Sequence, residues 1–445
     1  MSPHDILGRF ARAKGLLLAS RDLLDERVDE GIPAWASRRG WAAPLLDLSD
    51  EEVAACEAEG LVARAAHIRG LPPSLVDLAR SIEEATSLPR LTDSASAADF
   101  EARADDSPLA EGEPRAGGDA TLAAERGIRA RKVPQLAALL GAVEPMARGA
   151  GRIVDVGSGS GHFTRLAAEA FERETLGLER NPDRVAAAEA RVLALEIAPG
   201  RSVLVRYALS TVGEGLSFEP GDLAVGLHAC GALGDRLVAA AALAGCDVAL
   251  VSCCLQKIDG EERLPLSAEG EGLLLRRETL GLSNLTSQPV GVEVSIERTM
   301  AARRARHALI HLLRARGERV RPGEEMRGIN RRRAHHGLRE IAERACSLRG
   351  LLPPTPLEIE RFEREGAESF ERARRLSLPR NMLSRLVEVT VVLDRAARLV
   401  ETGHHALVAT PFDRAVTPRN VALFATRTPA RLPDASNDPL PSRTE

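Results

Sequence analysis

The apolar and polar positions of the chain change period along its length. Over residues 1–91 apolar side chains recur at helical spacing. Ser49 with Glu52 fits a capping box, and "GLPPSLVDLARSIEEA" opens on proline and continues at period 3.6. These residues predict an N-terminal helical domain whose small core holds Trp35 and Trp41. Residues 92–120 are rich in Ala, Ser, Asp and Gly with little to bury, and read as a linker. After a helical stretch over 121–148 come the short apolar runs "RIVDVG", "ETLGLE", "SVLVRYA", "DLAVGLH" and "DVALVSCC", most of them followed by a helical segment. That order builds a parallel sheet covered by helices, so 121–270 is read as an α/β core. Residues 271–402 read as mostly helical. "HALVATPF" and "NVALFAT" then predict a closing hairpin over 403–428, the antiparallel edge of the same sheet, with 429–445 as a flexible tail. The helical block thereby becomes an insertion before the last strands.

Composition narrows the class. With 44% hydrophobic and 28% charged residues and a net charge of −4, the chain is globular and its overall charge names no partner. No apolar run approaches the roughly 20 residues a membrane helix needs, and the start lacks a small-residue cleavage site. The expectation is a cytoplasmic protein without a membrane partner. The cysteines, at 56, 230, 246, 253, 254 and 346, are too scattered for a disulfide scaffold.

The chemistry starts at "IVDVGSGSGHF", where Asp155, Gly157, Gly159 and Gly161 join an apolar strand to a helix. Glycines let the backbone turn tightly and approach a ligand, and the helix start offers unpaired N–H groups to it. The spacing is GxGxG after an aspartate. The third position of a dinucleotide GxGxxG falls on His162 instead, which favours S-adenosylmethionine over NAD. The next strand ends at Glu179, where a carboxylate can accept both ribose hydroxyls, and Asn181 caps the following helix. Asp155 is expected to hold the loop, or the methionine amino group through water. Together these residues predict an α/β class I Rossmann-like methyltransferase sheet with S-adenosyl-L-methionine as cofactor.

"VGLHACGALGDRLV", "VSCCLQKI" and "RLPLS" resemble the methyltransferase-like eukaryotic family that includes the ribosomal RNA adenine dimethylase domain-containing protein. Its pattern is GLHxCG, a CC pair, then PLS or PMS. "FDRAVTPRN" and "EVTVVLDRAARLVE" near the end are similar to further segments of that family. More distantly, the HxCG and CC elements are similar to tRNA acceptor-stem 2′-O-methyltransferases, whose cysteine and histidine finger segments are absent here. The resemblance spans roughly 120–426 and implies the fold, the cofactor and, weakly, an RNA substrate. Adenine N6 dimethylation is disfavoured, because "GLHACG" stands where those dimethylases carry N-x-P-aromatic.

His228 and Cys230 fall at the end of one strand, and Cys253, Cys254 and Lys257 at the end of the next, the edge that lines the crevice of an open parallel sheet. Methyl transfer needs an aligned acceptor and, for an alcohol or protonated amine, a base; His228 suits that role, with a loop-bracing structural role as its alternative. Lys257, one of only three lysines with Lys14 and Lys132, suits a substrate oxygen or phosphate, or plain exposure. No metal is expected, since adjacent cysteines in an extended strand point to opposite faces.

From Arg298 to Arg339 thirteen arginines stand against Glu318, Glu324 and Glu325, a basic region suited to a phosphate backbone. The competing reading is a solvated face paired with the acidic helix "LEIERFEREGAESFER". The sequence thus predicts a methyltransferase acting on ribosomal or transfer RNA. The alternatives are a protein or small-molecule acceptor, or a non-catalytic cofactor-binding module.

Overall fold

The computed structural model describes residues 3–26, 28, 31–92, 133–196, 204–210, 216–227, 229–285, 296–411 and 420–436. The chain divides into two compact units: Met1–Ala19, Ile82–Val290 and Ser384–Glu445 form the first, Ser20–Ser81 and Gly291–Leu383 the second.

A seven-stranded sheet organises the first unit. Its strands are β1 (Arg152–Val156), β2 (Glu174–Glu179), β3 (Val205–Leu209), β4 (Asp222–Leu227), β5 (Asp247–Val251), β6 (His405–Ala409) and β7 (Ala422–Thr426), in the order β3-β2-β1-β4-β5-β7-β6. The first five run parallel, and β7 enters antiparallel between β5 and β6. This is an α/β, Rossmann-like arrangement. Every residue of β5 and all but the last of β4 are buried, because helices cover both faces; a strand with two buried faces reads as a continuous apolar run. One core cluster joins the helix Val133–Ala147, through Leu139 and Val143, to Phe163 and to Ile153, Val225, Ala249 and Phe424 of the sheet. Tracing back from β4 to β1, the order of strands reverses at β1, which leaves a crevice at their carboxyl ends.

The second unit is helical and has its own core, in which Leu309, Leu312 and Leu313 of the helix Ile296–Ala315 meet Ile341, Ala345 and Phe362. Trp35 and Trp41 are buried edge to face at 6.2 Å, and the Trp41 indole donates to Ser74 Oγ at 3.0 Å. The capping box forms, with Ser49 Oγ accepting from Glu52 N and Glu52 Oε2 from Ser49 N. Ion pairs tie its two segments together: Arg374 to Glu57 at 2.7 Å and Arg375 to Asp50 at 2.6 Å.

The contacts divide the chain differently from the expected blocks 1–91 and 271–402. The helix Pro3–Ala19 packs on the helix Ser384–Glu401, and both belong with the sheet; residues 20–81 join 291–383. Residues 429–436, expected within a flexible tail, include Ala435–Ser436, which pairs antiparallel with Arg90–Leu91. The linker from 93 to 120 lies outside the described residues. Among the described residues no helix is long and apolar enough to cross a membrane.

Candidate functional site

The glycine loop needs its glycines. Gly157, Gly159 and Gly161 have φ of 79°, 61° and 72°, left-handed backbone that other residues rarely adopt. Gly157 N and Ser158 N both donate to Leu178 O of β2, at 2.8 and 3.0 Å, so the loop folds over the strand end. Among the described residues a Cβ on Gly159 would meet nothing nearer than Gly157 O at 3.9 Å, so it has space beside it. Among the described residues Ser158 Oγ, buried in the loop, has no hydrogen-bond partner.

Glu179 is only 7% exposed. Its Oε2 accepts from Gly159 N at 3.0 Å, while Oε1 accepts from Arg180 N at 2.9 Å and Asn181 N at 3.0 Å. The carboxylate therefore braces the loop. A carboxylate has about four acceptor directions, so three backbone bonds leave one for a ribose hydroxyl, fewer than the pair expected. Asn181 Oδ1 caps the helix Pro182–Glu196 through Asp183 N at 2.9 Å.

Asp155 lies buried under the loop and accepts from Thr164 Oγ1 at 2.7 Å, pinning the helix His162–Phe171 to β1. Burial pushes its carboxyl up to about 7, against the Thr164 hydrogen bond and with the Glu179 charge adding to the rise. Tyr207, the chain's one tyrosine, escaped the sequence reading. Its hydroxyl donates to Gly161 O at 3.1 Å, and its ring fills the space where a Cβ on Gly161 or Gly177 would stand. Burial pushes it up to about 12. A tyrosine on the strand facing a mid-strand glycine is the signal that would have found it.

The ends of β4 and β5 carry the other candidates. Gly231 has φ 47°, and a Cβ there would sit 2.0 Å from Lys257 O, so the two loops press together at a glycine. Ala232 N donates to Lys257 O at 2.9 Å and Lys257 N to Cys254 O at 3.2 Å. Beneath them Arg395, fully buried, donates to Gly231 O at 2.9 Å, Ser252 Oγ at 2.7 Å and Asp235 Oδ1 at 2.9 Å. Asp235 also pairs with Arg263, which reaches Asp394 at 2.7 Å; Asp394 in turn accepts from the backbone of Leu266 and Ser267. Burial acts to raise the Asp235 carboxyl, and the Arg395 and Arg263 charges outweigh it and hold it low. "GLHACGALGDRLV", "RLPLS" and "VLDRAARLVE" thus interlock in one buried charge network.

Lys257 is exposed, and its Nζ points to Cys230 Sγ at 3.9 Å. Cys230 Sγ and Cys253 Sγ are 2.7 Å apart, and with Cys254 all three sulfurs lie within 4.8 Å of one another. The hydrogen bond from Cys253 holds the Cys230 thiol below its usual range, against burial and helped by the Lys257 charge. Strand alternation, the reason for expecting no metal, does not apply: β5 ends at Val251, and the backbone at Cys253 and Cys254 is not strand. His228 lies outside the described residues.

Arginines between 298 and 339 enter ion pairs with carboxylates, among them Arg303 with Glu57, Arg304 with Glu371, Arg306 with Glu325, Arg316 with Glu358, Arg327 with Glu324 and Arg333 with Glu340. Arg319, Arg321, Arg331, Arg332 and Arg339 are exposed.

Residues 130–261 match a family model described as "Methyltransferase domain". The chain is similar to solved structures of an S-adenosylmethionine-dependent methyltransferase from Mesorhizobium loti (26% identity, 27% of this chain and 52% of that one, TM-score 0.20) and a magnesium protoporphyrin IX methyltransferase from Synechocystis PCC 6803 with bound SAH (12%, 35% and 66%, TM-score 0.22). It thus spans about half to two thirds of their length. A cyclopropane synthase from Mycobacterium tuberculosis is 13% identical over 66% of this chain and 83% of its own, TM-score 0.24. At these TM-scores the likenesses add nothing to the fold that the strand order shows.

Residues 130–261 thus match a methyltransferase domain, and the strand order and the glycine loop agree with that class of fold. The left-handed loop, the space beside Gly159 and the buried Ser158 hydroxyl fit S-adenosylmethionine as cofactor.

Proposed function

We propose that this chain transfers a methyl group from S-adenosylmethionine to RNA, with the cofactor held by the loop Gly157–Gly161, the residual acceptor direction of Glu179, and the frame set by Asp155 and Asn181. The observation that carries the cofactor half is the Glu179 bond to Gly159 N, which joins carboxylate and loop in one cradle. Bound there, S-adenosylmethionine supplies a methyl on a sulfonium and needs only an aligned acceptor and a home for the acceptor's proton. His228 is assigned as that base, and Lys257 positions the acceptor from the adjoining loop, which the bond from Ala232 N to Lys257 O fixes.

The exposed Arg319, Arg321, Arg331, Arg332 and Arg339 support RNA, as does the motif resemblance to the adenine dimethylase domain-containing family. A protein or small-molecule acceptor is the second reading, favoured by the arginines of this window that are already paired with carboxylates. Reversing Arg331 and Arg332 to glutamate is expected to weaken RNA binding and flatten its salt dependence while leaving S-adenosylhomocysteine affinity intact. Wild-type protein that fails to bind RNA at low salt hands the acceptor to the second reading. His228→Ala is expected to lower turnover roughly 10²- to 10⁴-fold and erase the acid limb of the pH profile, without changing cofactor affinity.

A further inference from the structure

Three thiols that methyl transfer leaves unused stand together on the loops after β4 and β5. We propose that Cys230, Cys253 and Cys254 bind a soft divalent cation of the zinc class through three thiolates, with a fourth position left for water or a donor atom of the acceptor.

The sulfurs lie within 4.8 Å of one another, and Cys253 is 8% exposed. With zinc–sulfur bonds of about 2.3 Å, tetrahedral geometry separates sulfurs by about 3.8 Å, so the set already has the required span. Cys230 and Cys253, at 2.7 Å, sit closer than that and part by about 1 Å around an ion, which side-chain rotation supplies. The backbone is fixed beforehand. Arg395 ties Gly231 O to Ser252 Oγ, one neighbour from Cys230 and one from Cys253, and the carbonyl of Lys257 receives Ala232 N. Charge agrees as well: three thiolates and a divalent ion carry one net negative charge, and the Lys257 ammonium 3.9 Å from Cys230 Sγ neutralises it. A disulfide between Cys230 and Cys253 would use two sulfurs and give the third no part. Three protein ligands leave the fourth position of a tetrahedral ion for water or substrate, the pattern of catalytic zinc. The loop also adjoins the cofactor loop, since a Cβ on Gly157 would lie 3.5 Å from Leu233 Cδ2. The site stands whether or not the acceptor is RNA.

The full chain, purified under reductant without chelator, is expected to hold about one zinc and to regain one after stripping and dialysis against zinc. Cobalt in its place should give a thiolate charge-transfer band. Zinc should protect Cys230, Cys253 and Cys254 from alkylation, mapped by mass spectrometry, and leave Cys56, Cys246 and Cys346 unchanged. Cys254→Ser, at a half-buried sulfur, should keep the wild-type circular dichroism and bind zinc on the order of 100-fold more weakly, at the upper end of what losing a mere outer partner costs. The proposal is overturned by stripped wild-type protein that takes up neither zinc nor cobalt, by protection that falls on other cysteines, or by a Cys230–Cys253 disulfide in the reduced preparation.

Discussion

Replacing Asp155 by asparagine tests the burial of charge beneath the glycine loop. The Asp155 carboxyl is raised from 3.8 to about 7, with burial as the largest cause. A group whose folded pKa lies above its unfolded value binds more protons in the folded state, so its stabilising share is full below the unfolded pKa and is lost as pH rises through the folded one. The loss runs from pH about 4 to about 7 at roughly 1.4 kcal/mol per unit, about 4 kcal/mol in all as an upper figure, and levels off above. Asparagine keeps an oxygen to accept from Thr164 and never ionises. The variant should therefore match the wild type near pH 5 within about 2 kcal/mol and exceed it at pH 8, the difference growing through pH 7. Hydrogen exchange of peptides covering β1 and β2 reads the opening free energy of the sheet. Emission from Trp35 and Trp41, both in the helical unit, serves as a control that should not follow the substitution. A wild-type opening free energy that is flat from pH 5 to 8, or a slope that survives in Asp155→Asn, would refute the reasoning.

Two further outcomes can be measured directly. Glu179→Ala should weaken S-adenosylhomocysteine binding by about 1–3 kcal/mol in calorimetry, and Gly159→Arg should abolish it by filling the open space; equal affinity in both variants removes the cradle. Arg395→Leu leaves Gly231 O and Ser252 Oγ without their donor and Asp235 short of one partner, so denaturant unfolding of the sheet unit should lose about 3–5 kcal/mol; a loss under about 1 kcal/mol shows that the network is dispensable.

What the sequence revealed was local. The glycine turn, the Asn181 cap and the succession of strands and helices along the chain follow from short-range rules, and all are present. Glu179 was placed correctly at its strand end, yet its bond to Gly159 N needs the register of β1 beside β2, which no local pattern states. Tyr207 was missed for the same reason: only the pairing of β2 with β3 sets it opposite Gly177. The competing reading of the basic window, a face paired with the acidic helix, holds for Arg304 with Glu371 and Arg316 with Glu358, while Glu57, far off along the chain, is the partner that no local pattern names. The cysteine pair was judged as strand, and one residue of irregular backbone after β5 was enough to change which way its sulfurs face.

The chain crosses between its two units at residues 19, 81, 290 and 383, and this dictates an order of assembly during synthesis. Residues 20–81 leave the ribosome early and wait for partners, Arg374 and Arg375 among them, that are made some three hundred residues later. The five parallel strands wait longer still. Until 422–426 emerges, β5 has an open flank, and β7 is both its only neighbour on that side and the strand that holds β6. A ribosome stalled anywhere between 260 and 420 therefore displays an apolar, unpaired strand edge, the kind of surface that aggregates or is held by chaperones. Truncation from the carboxyl end should be far less tolerated than the short strands there suggest, because they close the sheet from within.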